Sequence, residues 1–259
     1  MIDTIHRVKE FLSYQQRAQT KYYIHSPFVY QFYLNVLEGI DSDQLQQIKT
    51  LHSRLVQNYD KILVNDMGAS PGTKEKIVSD LAAKASMPYK YGSVLFHLVK
   101  YFSPHTIIEL GTCLGIGTAY MAAASTSAHI TTIEGSKSLT ELAGQNFNKL
   151  KLHNIDQLTG NFDDLLPEVL SYIDRVDMAF IDGNHRYEPT LRYFELLMAK
   201  ANEKTILIFD DIYWSTEMTE AWEKIKQDKR VSLTLDIYRL GIVFLHKEKL
   251  AKEDFTLRY

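Results

Sequence analysis

Five carboxylates stand at the ends of short apolar runs in this chain. Thr106-Ile107-Ile108 runs into Glu109, His129 to Ile133 into Glu134, Met178 to Ile181 into Asp182, and Thr205 to Phe209 into Asp210-Asp211. Runs of this kind, rich in β-branched residues and separated by longer helical stretches, read as buried parallel strands. An open α/β sheet takes its ligand outside the carboxyl ends of its strands. Acids at four such ends describe an acidic crevice, and its charge narrows the choice of ligand.

The first run leads into Leu110-Gly111-Thr112-Cys113-Leu114-Gly115-Ile116-Gly117. Strand, glycine-rich turn and helix together are a generic nucleotide-site signal. Gly111, Gly115 and Gly117 do not keep the Gly-x-Gly-x-x-Gly spacing of a dinucleotide fingerprint. Glu109 would also repel a pyrophosphate seated on the turn. A carboxylate there suits a ligand that carries a cation, and S-adenosylmethionine has an ammonium and a sulfonium but no phosphate. Glu134 lies 25 residues beyond Glu109, where an acid can accept both hydroxyls of an adenosine ribose. The plainer alternative is that each acid caps the helix that follows it. Cys113 reads as a small packing residue.

Asp182 and the Asp210-Asp211 pair are 28 residues apart and end neighbouring strands in this reading. Carboxylates converging on one sheet edge repel unless a cation neutralises them or a proton is retained. Hard oxygen donors favour Mg²⁺, Ca²⁺ or Mn²⁺ over zinc. Alternatively, Asp210-Asp211 is a polar helix entry. His185, three residues after Asp182, has the chemistry of a base near neutral pH, or is a solvated loop residue.

Helices and strands must hold these groups in place. Ile5, Val8, Phe11 and Leu12, then Leu45, Ile48, Leu51 and Leu55, recur at helical spacing, so residues 1 to about 65 read as helical. Between them lies an aromatic stretch from Tyr22 to Tyr33, in which Ser26-Pro27 marks a helix start. That stretch covers an acceptor pocket, forms core between helices, or makes a homodimer contact. Gly68-Ala69-Ser70-Pro71-Gly72-Thr73 is the strongest breaker cluster. The expected division is a helical extension over residues 1–85 packed on a core over 86–259. The core alternates strand and helix, and Val231 to Tyr238 with Ile242 to His246 suits a closing antiparallel hairpin. The expected fold is α/β: a Rossmann-like, mostly parallel seven-stranded sheet with that C-terminal hairpin and helices on both faces.

Totals exclude several classes. Among 259 residues, 45% are hydrophobic and 24% charged, with a net charge of −3, so no nucleic-acid partner is expected. No apolar run nears the ~20 residues needed to span a bilayer, so no membrane partner is expected either. Met1 to Arg7 lacks the apolar stretch of a secretory signal, and a cytoplasmic location follows as the expectation. A single cysteine excludes an internal disulfide.

Glu109 to Gly117 resembles the first motif of class I S-adenosylmethionine-dependent methyltransferases. The resemblance continues through Ile130 to Glu134, Gly160 to Pro167, Val176 to Asp182 and Leu207 to Asp211. Order and spacing are most similar to the small-molecule O-methyltransferases of the catechol and caffeoyl-CoA type. It implies that Gly111 and Gly117, with Gly115 and Glu109, adjoin the methionine part of the cofactor. Glu134 would hold the ribose, Gly135 and Phe162 would flank the adenine, and Met87 would be an apolar neighbour. It also implies Mg²⁺ on Asp182, Asp210 and Asp211, with Asp182 serving cofactor and catalysis too. His185 falls where catechol-type enzymes have a lysine base, a departure that leaves the base open. The implied reaction moves a methyl group to a hydroxyl of a small acceptor. Rival readings are a metal-independent N- or C-methyltransferase and a non-catalytic S-adenosylmethionine-binding protein.

Overall fold

The computed structural model describes residues 2–66, 72–246 and 251–259. It opens with three helices, α1 (Ile2–Arg17), α2 (Pro27–Phe32) and α3 (Asp43–Leu55), with a 3-10 turn at Lys21–Tyr23 and a π-turn at Tyr33–Leu37. Pro27 starts α2, where its missing N–H costs nothing. Ser26 stands at the N-cap, but its side chain makes no capping bond. Ser42 does cap α3, accepting from the Leu45 N–H, and Leu45, Ile48, Leu51 and Leu55 bury the expected face.

Helix does not persist to residue 65. β1 (Lys61–Asp66) and β2 (Gly72–Ile77) form an antiparallel hairpin in which Asp66 pairs with Gly72. Of the breaker cluster, Gly68 to Pro71 lie outside the described residues. Helices α4 (Val78–Lys84) and α5 (Tyr89–Phe102) follow.

The chain divides into two compact units, one of residues 34–168 and one of residues 1–33 with 169–259. In the first, β3 (Thr106–Leu110), α6 (Ile116–Ala124), β4 (His129–Glu134), α7 (Lys137–Leu150) and β5 (Ile155–Thr159) alternate, and the three strands pair in parallel. Register places Glu109 beside Thr132. α8 (Phe162–Tyr172) begins in this unit.

The second unit holds β6 (Met178–Ile181), α9 (Tyr187–Met198), β7 (Ile206–Phe209), α10 (Thr216–Gln227), β8 (Leu233–Asp236), β9 (Gly241–Phe244) and β10 (Glu253–Thr256). β6 and β7 are parallel, whereas β9 runs antiparallel to both β7 and β8, which is the expected hairpin. The first four of these strands (β6 to β9) are buried at every position, the signature of strands covered on both faces. α1 belongs to this unit. Tyr14, 1% exposed, anchors it by donating its hydroxyl to the Leu257 carbonyl at 2.7 Å. Its apolar stripe of Ile5, Val8, Phe11 and Leu12 is exposed.

The strands of the sheet number eight and are mostly parallel, in the order β3-β4-β5 in one unit and β10-β8-β9-β7-β6 in the other. The strand beyond the expected seven is β10, which pairs in parallel with β8. Among the described residues no helix is long and apolar enough to cross a membrane.

Candidate cofactor site and acidic cluster

The glycine loop leaves β3 at Leu110 and enters α6 at Ile116 within the unit of residues 34–168. Gly111 (φ 101°) and Gly115 (φ 76°) take left-handed conformations that need no Cβ. Gly111 donates its N–H to Ile133 at 2.9 Å, and Gly115 closes the turn on Thr112 at 2.8 Å. A Cβ on Gly115 would lie 2.5 Å from the Phe147 ring. Cys113 also turns left-handed, at φ 50°, which is uncommon outside glycine. What holds it is Glu134, whose Oε2 accepts the Cys113 N–H at 2.9 Å while Oε1 accepts the Ser136 N–H at 2.9 Å. Burial raises the Glu134 pKa, and the N–H groups of Ser136, Cys113, Thr112 and Gly135 work against that rise. The carboxylate at the end of β4 is thus joined by hydrogen bonds to the loop at the end of β3.

Glu109 sits differently from the expectation that it meets a cationic ligand in the crevice. It is 1% exposed, and its Oε2 accepts the hydroxyls of Thr118 (2.5 Å) and Thr132 (2.6 Å). Thr132 in turn pairs with Thr112 at 2.6 Å. Burial pushes the Glu109 pKa up to about 7, although both threonines favour the charged form. This carboxyl braces β3, β4 and α6 from beneath the loop. The Thr132 partner follows from strand register, and Thr118 lies in the first turn of α6; neither was singled out from sequence.

Four further cofactor candidates lie in the same unit, whereas Asp182 lies in the other. Gly117 is in the first turn of α6, Gly135 follows Glu134, Met87 is 2% exposed just before α5, and Phe162 opens α8 half-buried.

In the other unit, the Asp210 N–H donates to the Ile181 carbonyl at 2.9 Å, aligning the ends of β6 and β7 as expected. Asp210 is 0% exposed, and Arg239 grips both of its oxygens, Nε at 2.7 Å and Nη2 at 2.6 Å. The same Nε lies 3.6 Å from Asp211. Asp182 faces His185, Oδ1 to Nε2, at 3.5 Å. Burial and the neighbouring Asp210 raise the Asp182 pKa. Burial alone would lower that of His185, but Asp182, Asp211 and Asp210 outweigh it and raise it. The pair therefore retains a proton past neutrality.

The arrangement bears on the metal assignment of Asp182, Asp210 and Asp211. The repulsion that called for a metal is relieved by a guanidinium. Among the described residues no three His, Cys, Asp or Glu side chains converge as a ligand set. The residues present fit a divalent ion poorly, because a guanidinium already neutralises the most buried of the three carboxylates. Arg239 was visible in sequence only as part of the Arg239-Leu240-Gly241 turn, 29 residues beyond Asp210.

Comparison with known proteins agrees with this architecture. Residues 108–212 match a family model described as a methyltransferase domain. An uncharacterized protein of Acanthamoeba polyphaga mimivirus is 31% identical over 88 residues, and the match spans 33% of this chain and only 37% of that protein. Among solved structures, an O-methyltransferase of Bacillus cereus in complex with S-adenosylhomocysteine superposes with a TM-score of 0.58. It is 19% identical and covers 83% of this chain and 96% of its own. The O-methyltransferase TomG of Streptomyces achromogenes, involved in tomaymycin synthesis and bound to S-adenosylmethionine, gives 0.57 at 18% identity, covering 84% and 95%. A methyltransferase of Podospora anserina bound to S-adenosylhomocysteine gives 0.60 at 14% identity, covering 86% and 97%. These likenesses establish the shared fold, and residues 108–212 within it carry the match to a methyltransferase domain.

Proposed function

We propose that this chain transfers a methyl group from S-adenosylmethionine to a hydroxyl of a small-molecule acceptor. The observation that carries the reading is Glu134, held at the end of β4 between the N–H groups of Cys113 and Ser136. A carboxylate fixed by backbone donors is pre-oriented to accept ribose hydroxyls. Gly111, Gly115 and Gly117 let the methionine part approach the main chain closely. Gly135 leaves room beside the adenine, and Met87 and Phe162 offer apolar contact. Glu109 acts through the loop it braces. S-adenosylmethionine supplies an electrophilic methyl on its sulfonium. In the unit of residues 1–33 and 169–259, His185, once deprotonated, accepts the acceptor's hydroxyl proton, and Asp182 orients the imidazole and balances its charge. The oxygen–methyl bond forms as the sulfur–methyl bond breaks. Three solved neighbours described as O-methyltransferases or methyltransferases with bound cofactor support the reading. A net charge of −3 favours a small acceptor over nucleic acid, and a lone cysteine accords with a cytoplasmic setting.

Calorimetric titration with S-adenosylhomocysteine tests the proposal. Wild type should bind with a micromolar dissociation constant, about −8 kcal/mol. Glu134→Ala should weaken binding roughly 10- to 100-fold, the scale of one charge-assisted hydrogen bond. No binding by wild type, or equal binding by both proteins, sinks the assignment.

A further inference from the structure

The geometry points to Arg239 as the resident cation of the strand-end acid cluster, standing where a divalent metal would otherwise neutralise it. Both oxygens of Asp210 are engaged in a bidentate pair at 2.7 and 2.6 Å, the arrangement in which arginine matches a carboxylate best. Asp210 is fully buried and the Arg239 side chain is 19% exposed, so water screens the pair little. The arginine is also delivered by a built turn. Ile237 closes it on the Leu240 carbonyl at 3.0 Å, and Tyr238 sits left-handed at φ 72° with its N–H on Asp236 at 2.8 Å. The Ile212 N–H donates to the Arg239 carbonyl at 3.3 Å, tying the turn to the residue that follows Asp211. A magnesium ion needs near-octahedral oxygen ligands at roughly 2.0–2.1 Å. It would have to take them from a carboxylate already held and beside a fixed positive charge.

The consequence deepens the proposed reaction and rests on that reading. With no metal to lower the acceptor's pKa, the hydroxyl must ionise with the help of side chains alone. That favours acidic hydroxyls such as phenols over sugar hydroxyls, and it removes any requirement for two adjacent oxygens to chelate.

Electron paramagnetic resonance of Mn²⁺, titrated with the whole chain, tests the assignment without depending on turnover. Wild type should leave the free-ion signal undiminished up to about 1 mM protein, the limit of weak binding. Arg239→Gln should gain Mn²⁺ affinity at least tenfold, and adding Asp210→Asn should abolish the gain. Depletion of the signal by micromolar wild type, lost on Asp210→Asn, would overturn the proposal. So would a folded Arg239→Gln variant that gains nothing. If Arg239→Gln does not fold, the wild-type titration still decides. Failure of S-adenosylhomocysteine to bind would count against the methyltransfer reading and leave the Mn²⁺ result standing.

Discussion

Replacing Glu109 by glutamine should stabilise the protein, and the gain should grow with pH. The carboxyl is 1% exposed, and burial raises its pKa from 4.5 to about 7 against the pull of Thr118 and Thr132. The unfolded chain releases this proton near 4.5 and the fold holds it until about 7. Between those values the folded state binds more protons, so stability falls as pH rises through the window. At about 1.4 kcal/mol per pH unit, the ionised carboxylate costs the fold roughly 3 kcal/mol above pH 7 and almost nothing below 4.5. Glutamine has the same shape and no charge, and its amide oxygen still accepts a threonine hydroxyl. Urea unfolding of both proteins at pH 5 and pH 8 measures the effect. Relative to the variant, wild type should lose roughly 2–3 kcal/mol between the two, seen as a shift in midpoint at constant slope. An equal difference at both pH values would refute the buried-charge argument. Affinity for S-adenosylhomocysteine should change less than in Glu134→Ala, because Glu109 lies beneath the loop.

Gly115→Ala should destabilise by about 2–5 kcal/mol, combining left-handed strain of about 1–2 with overlap on the Phe147 ring of about 1–3. Adding Phe147→Leu should recover most of the overlap part in urea melts. Asp210→Ala strands the Arg239 guanidinium and should cost about 3–5 kcal/mol, whereas Asp210→Asn with Arg239→Gln should cost less, as read by calorimetric melting. If His185 is the base, initial rates on a hydroxylated acceptor should climb as pH rises above 7, because its carboxylate neighbours keep it protonated at neutrality. His185→Gln should flatten that climb, and a wild-type profile already flat above pH 7 would remove the histidine from the role.

The strands and the glycine loop could be read because their signals are local. Each apolar run carries its own terminal acid, and the helical period of Leu45, Ile48, Leu51 and Leu55 marked the buried face of α3. What escaped was pairing across distance. Arg239 meets Asp210 only because β9 lies antiparallel beside β7, which no short window of sequence displays. The threonine cage of Glu109 depends on β3–β4 register in the same way. The β1–β2 hairpin was hidden because its second strand, Gly72-Thr73-Lys74-Glu75-Lys76-Ile77, is exposed almost throughout and has no apolar alternation to announce it. β10 is masked likewise by Glu253 and Asp254, whose charges disguise a strand. Ile5, Val8, Phe11 and Leu12 show the reverse: their spacing gave the helix but could not say that the stripe faces outward.

One compact unit is assembled from the two ends of the chain, residues 1–33 and 169–259. Its closure is literal: Gln19 bridges Leu257, the Arg258 N–H donates to Gln19, and the Tyr33 hydroxyl donates to the Arg258 carbonyl. On a ribosome, the first helix emerges long before the strand that receives it. Residues 34–168 can collapse on local contacts while α1 waits, its Tyr14 without the Leu257 carbonyl it will bond. Contacts of such sequence separation are slow to form, and a waiting amphipathic segment is open to chaperones in the interval. A circular permutant that joins residue 259 to residue 1 and opens the chain at an exposed loop would abolish the wait, so its refolding rate measures how much of the folding time that wait takes.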